Sequence, residues 1–310
     1  MHVMSYLGSA GFYIPLLVAV YWCAAPTLAA RATIILSLGS VLNTVLKLVF
    51  HSPRPYWTDP SITGHESRVS FGMPSGHAQN AVAAWGFLAT RTRRWFLWAG
   101  AVVVIVLIGV SRVYLGVHSV GQVLAGWAIG LVTLVVALRL EPIVIPWWVR
   151  RPLAVQVALA LAVSLLFLGA AWGAVHSLSG WQWPDAWARA ITAAGGRTRA
   201  ITLNEVSAAT GGLFGVLAGT SVLAARGWFD AQGEPWQRLA RLPVGVLGAL
   251  ALYALGSYLG THPIQVFIAQ ALIGLWVTAG APEAFMWLRL AGRPTRPITR
   301  AGDGAAEVRQ

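Results

Sequence analysis

Long apolar runs broken by short polar clusters repeat along the whole 310-residue chain. The runs fall at about 11–30, 33–50, 78–90, 95–110, 120–138, 152–175, 206–225, 242–259 and 264–288. At 1.5 Å per residue, a helix needs around twenty apolar residues to cross the hydrocarbon core of a bilayer. Most of the runs approach that length, and the short run at 78–90 has to borrow from its flanks. The pattern predicts an all-α, polytopic transmembrane helical bundle of about nine helices.

Smaller features subdivide this frame. Gly211, Gly215 and Gly219 recur at four-residue spacing, as do Gly126 and Gly130. Such repeats let helix backbones approach closely, and packing within one chain is the reading favoured here over a dimer face. Residues 176–203 form a polar loop carrying Trp181, Trp183 and Trp187, expected to lie at the membrane interface as an amphipathic segment. The tail at 291–310, with Pro294 and Pro297, reads as disordered and cytoplasmic. Residues 1–9 are too short and too weakly basic for a secretory signal peptide. No soluble domain is expected.

Composition sharpens the class. The chain is 57% hydrophobic and 10% charged, where a soluble domain would carry roughly a quarter charged residues. Its net charge of +12 could point to nucleic acid, but the arginines sit in short clusters between apolar spans, as cytoplasmic loops do. Alternate loops hold Arg31; Arg91, Arg93 and Arg94; Arg139, Arg150 and Arg151; Arg226, Arg238 and Arg241; and Arg289, Arg293, Arg296 and Arg300. These define the cytoplasmic side. The opposite loops hold Lys47, Arg54, Arg68, Arg112, Arg189, Arg197 and Arg199. Cys23 is the single cysteine, so no intramolecular disulfide forms, and its apolar setting marks a buried structural thiol.

The polar residues between 47 and 122 break the apolar pattern most sharply. Three clusters stand out: Lys47-Leu-Val-Phe-His-Ser-Pro-Arg54-Pro55, Gly72-Met-Pro74-Ser75-Gly76-His77, and Ser111-Arg112-Val-Tyr-Leu-Gly-Val-His118. Lys47 is the chain's one lysine among 22 basic residues. All three clusters map to the outer face under the arginine count. Each has an ordinary structural reading when taken alone. Lysine and arginine near a boundary serve as snorkelling anchors, Ser75 as a helix N-cap, and a lone histidine as a core residue. Taken together, three cations, two imidazoles and a helix N-terminus make a phosphoryl-transfer constellation. Guanidinium groups grip phosphate oxygens in pairs, helix N-terminal amides favour anions, and an imidazole can attack phosphorus or donate a proton. Ionisable groups at membrane depth mark functional sites.

In order and spacing, Lys47-x6-Arg54-Pro55, Pro74-Ser75-Gly76-His77 and Ser111-Arg112-x5-His118 resemble the three signature motifs of the type-2 phosphatidic-acid phosphatase superfamily, which also contains vanadium haloperoxidases. The resemblance implies a six-helix phosphatase-like core at 10–175, followed by the outer loop at 176–203 and additional transmembrane helices at 204–290. It implies His118 as nucleophile, forming a phosphohistidine, and His77 as the general acid. Lys47, Arg54, Ser75, Gly76 and Arg112 would hold the phosphoryl oxygens. No metal or other cofactor is implied, and the expected substrates are lipid phosphates or diphosphates in the bilayer. The expected location is a bacterial plasma membrane, with the site on the periplasmic side. Nothing in the sequence sets an oligomeric state.

One position departs from the family pattern. The aspartate expected four residues after the histidine is Gln122 here. Its carbonyl oxygen can accept the ring N–H and hold a tautomer, but carries no charge to stabilise an imidazolium. Asp59, Glu66 and Glu205 are the outer-side carboxylates that could supply one. Two further readings accompany the phosphatase: a phosphotransferase using the same intermediate, and a non-catalytic lipid-phosphate binder or transporter, which would have no need of both imidazoles.

Overall fold

The computed structural model describes residues 1–198 and 201–294. Thirteen α-helices occur among them: α1 (His2–Leu7), α2 (Ala10–Cys23), α3 (Pro26–Phe50), α4 (Pro55–Thr58), α5 (Gly76–Ala89), α6 (Trp95–Tyr114), α7 (Val120–Val149), α8 (Leu153–Ser177), α9 (Asp185–Ala193), α10 (Asn204–Ala225), α11 (Pro235–Leu259), α12 (Pro263–Leu275) and α13 (Ala281–Trp287). A π-helical turn, Trp276–Gly280, joins the last two. Seven of the described segments are long and apolar enough to cross a membrane. The shorter α2 and α5 hold 14 residues each, about 21 Å of helix against a hydrocarbon core of about 30 Å.

Exposure follows the logic of a lipid solvent. Val102, Val103 and Val106 on α6, Leu131 and Val132 on α7, and Leu247, Leu250 and Tyr253 on α11 are all exposed. The polar Ser111, Arg112, Gln122, Thr210 and Arg241 are buried. In lipid an apolar surface carries no penalty, while every polar group must find an internal partner or line a cavity. This is a polytopic helical membrane protein.

Helix boundaries moved where prolines intervene. The first run was expected to reach residue 30, but Pro26 opens α3, a position where its missing N–H leaves no bond unmade. Arg31 therefore lies inside a helix, paired with Glu141 at 3.0 Å. Helix α7 continues through Pro142 and Pro146 to Val149, well past residue 138.

The described chain forms two compact units. The first comprises residues 1–15, 35–135 and 167–206, and holds all three clusters. Here α7 lies close against the start of α5, since a Cβ on Gly126 would meet Ser75 O at 2.5 Å and one on Gly130 would meet Gln79 O at 2.5 Å. In the loop after α8, helix α9 buries Ile191. Trp181, Trp183 and Trp187 gather there around Trp57 and Phe71, with Trp57 and Trp183 centroids 5.5 Å apart and Phe71 and Trp183 6.0 Å apart. Arg199 lies outside the described residues.

The second unit comprises, among the described residues, 16–34, 136–166 and 207–294. Tyr21, Trp22, Leu223, Phe229 and Phe285 form its core. Gly211 and Gly215 on α10 sit against the backbone of Phe267 and Ala271 on α12, so this repeat packs within the chain. At the π-helical turn, Pro282 has no N–H to return to the preceding carbonyls. Tyr21 OH donates to Thr278 O at 2.7 Å and Trp22 Nε1 to Val277 O at 2.9 Å. Arg241, expected in a cytoplasmic loop, is instead fully buried on α11. Of the stretch read as tail, residues 291–294 are described. Gly292 pairs with Asp230, and Arg293 donates to Trp228 O at 3.1 Å and to Glu283 Oε1 at 3.1 Å. Residues 295–310, with Arg296, Pro297 and Arg300, lie outside the described residues.

Candidate active site

The first cluster is placed by the end of α3. Lys47 occupies the last turn, and its Nζ donates to Phe71 O at 2.6 Å. His51 turns out of the helix with φ +32, and Pro53 and Pro55 prevent its continuation. Arg54 then stands at the N-cap of α4, 2% exposed. Its Nε donates to Ser70 O at 2.8 Å, and its Nη2 to Ser70 Oγ at 3.2 Å and Phe71 O at 3.4 Å. Its Nη1 donates to Val117 O at 2.9 Å and lies 3.1 Å from His118 Nε2.

That last contact assigns the histidine tautomer. Arginine only donates, so His118 Nε2 accepts and carries the lone pair. On the other side of the ring, Nδ1 lies 3.2 Å from Gln122 Oε1. The amide's orientation is fixed independently, because Gln122 Nε2 donates to Pro53 O at 2.7 Å and Ser52 Oγ at 3.3 Å. Gln122 Oε1 therefore accepts from His118 Nδ1–H, and also from Ser119 N at 3.2 Å. The neutral glutamine holds the ring with the Nε2 lone pair turned toward Arg54. Burial, followed by the nearby Arg54, Lys47 and Arg112 cations, pushes the His118 imidazole well below the ordinary histidine range.

The second cluster begins α5 and is tied to both neighbours. Ser75 N donates to Gln122 O at 3.0 Å, and Asn43 Nδ2 donates to Pro74 O at 3.4 Å and Gln79 Oε1 at 2.8 Å. Gly76 lies against Asn43, where a Cβ would come 3.1 Å from its Oδ1. Ser75 takes the N-cap position as expected, yet its hydroxyl makes no cap bond. Instead Ser75 Oγ is buried with no partner, as are His77 Nε2 and Arg112 Nε. Leaving such a group unsatisfied costs about 1–3 kcal/mol. Other buried groups among the described residues, Trp57 Nε1, Trp85 Nε1 and Ser164 Oγ among them, are likewise unpartnered, so this feature does not by itself single out the three.

Arg112 sits in the last turn of α6, 1% exposed. Glu66 faces it with both oxygens, Oε2 at 3.1 Å from Nη2 and Oε1 at 3.4 Å from Nη1. Arg68 grips the same carboxylate through Nη2 at 2.8 Å and Nε at 3.2 Å. Partial burial opposes ionisation of Glu66, but these two arginines outweigh it and hold its carboxyl at about 2. Ser5 on α1 hydrogen-bonds to Arg112 Nη1 and donates to Glu66 Oε1 at 3.2 Å.

The eight predicted site residues thus fall within one compact unit. Lys47 and Arg54 share Phe71 O, Arg54 meets His118, His118 meets Gln122, and Gln122 meets Ser75. His77 and Arg112 have no direct hydrogen bond to that chain, although Arg112 is near enough to act electrostatically on His118. None of the three carboxylates offered by the sequence stands in for the aspartate. Glu66 lies on Arg112, Asp59 is exposed and accepts from Ser61, and Glu205 is exposed on α10. Ser5 and the Ser70 and Phe71 carbonyls were not legible as site components. Glu66 was expected only as one of three carboxylates that could serve His118, and it lies on Arg112 instead. Among the described residues, no three His, Cys, Asp or Glu side chains converge to hold a metal ion.

Comparisons with known proteins identify the family. The PAP2 superfamily model matches residues 27–145, and a PAP2 superfamily phosphatase transmembrane extension matches 207–293. Phosphatidylglycerophosphatase B of Bacillus subtilis is 34% identical over 41% of this chain and 67% of its own length. Sphingosine-1-phosphate phosphatase 2 of Homo sapiens is 35% identical over 39% of this chain, and Undecaprenyl-diphosphatase of Sulfolobus acidocaldarius 32% over 30%. The chain spans 32% and 45% of those two relatives. A crystal structure of a transmembrane PAP2 type phosphatidylglycerolphosphate phosphatase from Bacillus subtilis covers 46% of this chain and 74% of its own, at 27% identity. Its TM-score of 0.37 is too low for the superposition to carry an argument.

Proposed function

The chain belongs to the PAP2 superfamily, and from that premise we propose that it is a membrane phosphatase cleaving a lipid phosphomonoester or diphosphate through a phosphohistidine on His118. The observation that carries the reading is the His118 tautomer: Gln122 holds Nδ1–H, and the Nε2 lone pair lies beside Arg54. In the reaction, Nε2 attacks phosphorus and the bond from phosphorus to the leaving oxygen breaks. The leaving alkoxide, or lipid phosphate, takes a proton from His77 Nε2. Water then attacks phosphorus, the P–N bond breaks, and the water's proton returns to His77. Lys47, Arg54 and Arg112, with Ser75 Oγ and the Gly76 amide, neutralise the phosphoryl oxygens, the main task of a protein in phosphoryl transfer. Arg54 leaves Nε2 for a phosphoryl oxygen as the substrate enters.

The arginine distribution favours an outer-face site, and the reading places it in a bacterial plasma membrane with the lipid chains remaining in the bilayer. The relatives act, by name, on phosphatidylglycerophosphate, sphingosine-1-phosphate and undecaprenyl diphosphate, which brackets the substrate as a lipid carrying a terminal phosphoryl group. Gln122 favours one second reading. A neutral partner gives the imidazolium less support, and a slower reaction with water would let another acceptor take the phosphoryl group.

The test is inorganic phosphate release from phosphatidate, a sphingoid phosphate and undecaprenyl diphosphate in detergent micelles containing EDTA. Expected is release that survives EDTA and falls about 10⁶-fold in His118→Ala, as for loss of a nucleophile. Radiolabel appearing on an added alcohol rather than as free phosphate would favour the transferase. Unchanged release by His118→Ala would overturn the mechanism.

A further inference from the structure

The three cations assigned to the phosphoryl oxygens are not free in this structure. Each is held by an oxygen from one short segment, residues 66–71. Phe71 O takes Lys47, Ser70 O takes Arg54, and the Glu66 carboxylate takes Arg112. Two of these oxygens are backbone carbonyls, which carry no net charge. Glu66 is different, being a full anion meeting the Arg112 guanidinium with both oxygens, the same two-point grip that a phosphoryl group would use.

Glu66 is also built to let go. Its Oε2 keeps Arg68 at 2.8 Å, and the Arg68 side chain is 42% exposed, so the pair has somewhere to stand when Arg112 is taken. Arg112 is 1% exposed, and beyond Glu66 its hydrogen-bond partner is Ser5 Oγ, with Nε unpartnered. A carboxyl held at about 2 remains charged throughout the working pH range, so the competing anion is always present.

We propose that Glu66 is a positioning residue that acts as a displaceable internal anion: it occupies Arg112 in the empty site, yields to the phosphoryl group, and returns to expel orthophosphate. The proposal rests on the phosphoryl-site reading above. Its chemistry is competition. A carboxylate that must be displaced weakens the binding of every phosphate species that uses Arg112, and of product orthophosphate most visibly. A carboxylate that merely orients Arg112 would do the reverse, since its removal would loosen the arginine and weaken phosphate binding. The two roles predict opposite signs.

The experiment is orthophosphate binding to the full chain in neutral detergent, followed by tryptophan fluorescence. It compares the wild type with Glu66→Gln and Glu66→Asp, each in a His118→Ala background so that turnover plays no part. Expected is a roughly tenfold lower Kd in Glu66→Gln, with Glu66→Asp closer to wild type because it keeps the charge. In the otherwise native enzyme, inhibition by orthophosphate should strengthen by a similar factor, with KM falling while kcat stays level or drops through slower product release. A Kd that is unchanged or raised in Glu66→Gln, with Glu66→Asp binding and eluting as a folded protein, overturns the proposal. Absence of orthophosphate binding by every variant, wild type included, would sink the phosphoryl-site reading itself.

Discussion

Two buried arginines, one in each compact unit, show how differently the same side chain is used. Arg241, 0% exposed, donates five hydrogen bonds: Nε to Leu290 O at 3.0 Å, Nη1 to Trp22 O at 2.9 Å and Ala231 O at 2.6 Å, and Nη2 to Gln232 O and Leu290 O, each at 2.7 Å. Every nitrogen is satisfied, and each acceptor is a backbone carbonyl that would otherwise be stranded. Arg112, 1% exposed, leaves Nε unpartnered and spends its other nitrogens on Ser5 and Glu66. Burial alone does not separate a functional arginine from a structural one. Hydrogen-bond satisfaction is where the two differ: the Arg241 donors are all met by backbone carbonyls, while Arg112 keeps one donor unmet and pairs with a carboxylate.

The comparison breaks most readily at Arg112. Arg112→Ala should lower kcat/KM for phosphate release by about 10²–10³-fold, the effect of deleting one preorganised donor to transition-state charge. Its melting temperature in detergent should fall less than that of Arg241→Ala, since Glu66 keeps Arg68 as a partner when Arg112 is removed. Arg241→Ala should do the converse. Orphaning the carbonyls of Trp22, Ala231, Gln232 and Leu290 should lower stability by about 3 kcal/mol, seen as a markedly lower melting temperature, with activity per folded molecule unchanged. A loss of specific activity in Arg241→Ala without a melting shift would erase the distinction drawn here.

The smallest effect concerns pH. Burial and three neighbouring cations favour the neutral His118 imidazole. Because its folded pKa lies below the ordinary value of about 6.5, the reactive neutral form persists as pH falls through that value. The acidic limb of kcat/KM belonging to His118 should therefore lie below about pH 6.5. A limb above that value, abolished with the nucleophile, would contradict the surroundings described for the ring.

The helices were largely legible because hydropathy is local: twenty apolar residues in a row announce a span whatever surrounds them. Errors came where backbone chemistry overrode hydropathy. Pro26 restarts a helix inside an apolar run, and Pro282 marks a π-helical turn whose carbonyls are met by Tyr21 and Trp22, far away in sequence. The candidate residues were legible for a similar reason. Lysine, arginine and histidine are conspicuous in lipid-compatible sequence, and their spacing matched a known arrangement.

What the chain alone determined, then, was which residues stand out and that they sit at helix ends. Tertiary structure decided what each one touches. Only there does the Gln122 amide, clamped by Pro53 and Ser52, assign the His118 tautomer. Only there is the Ser75 hydroxyl withheld from capping, and Glu66 directed to Arg112 rather than to His118. These outcomes depend on contacts between residues up to 107 positions apart, as between Arg112 and Ser5. Hydrogen bonds of that range are set by how helices pack, and no local pattern encodes them.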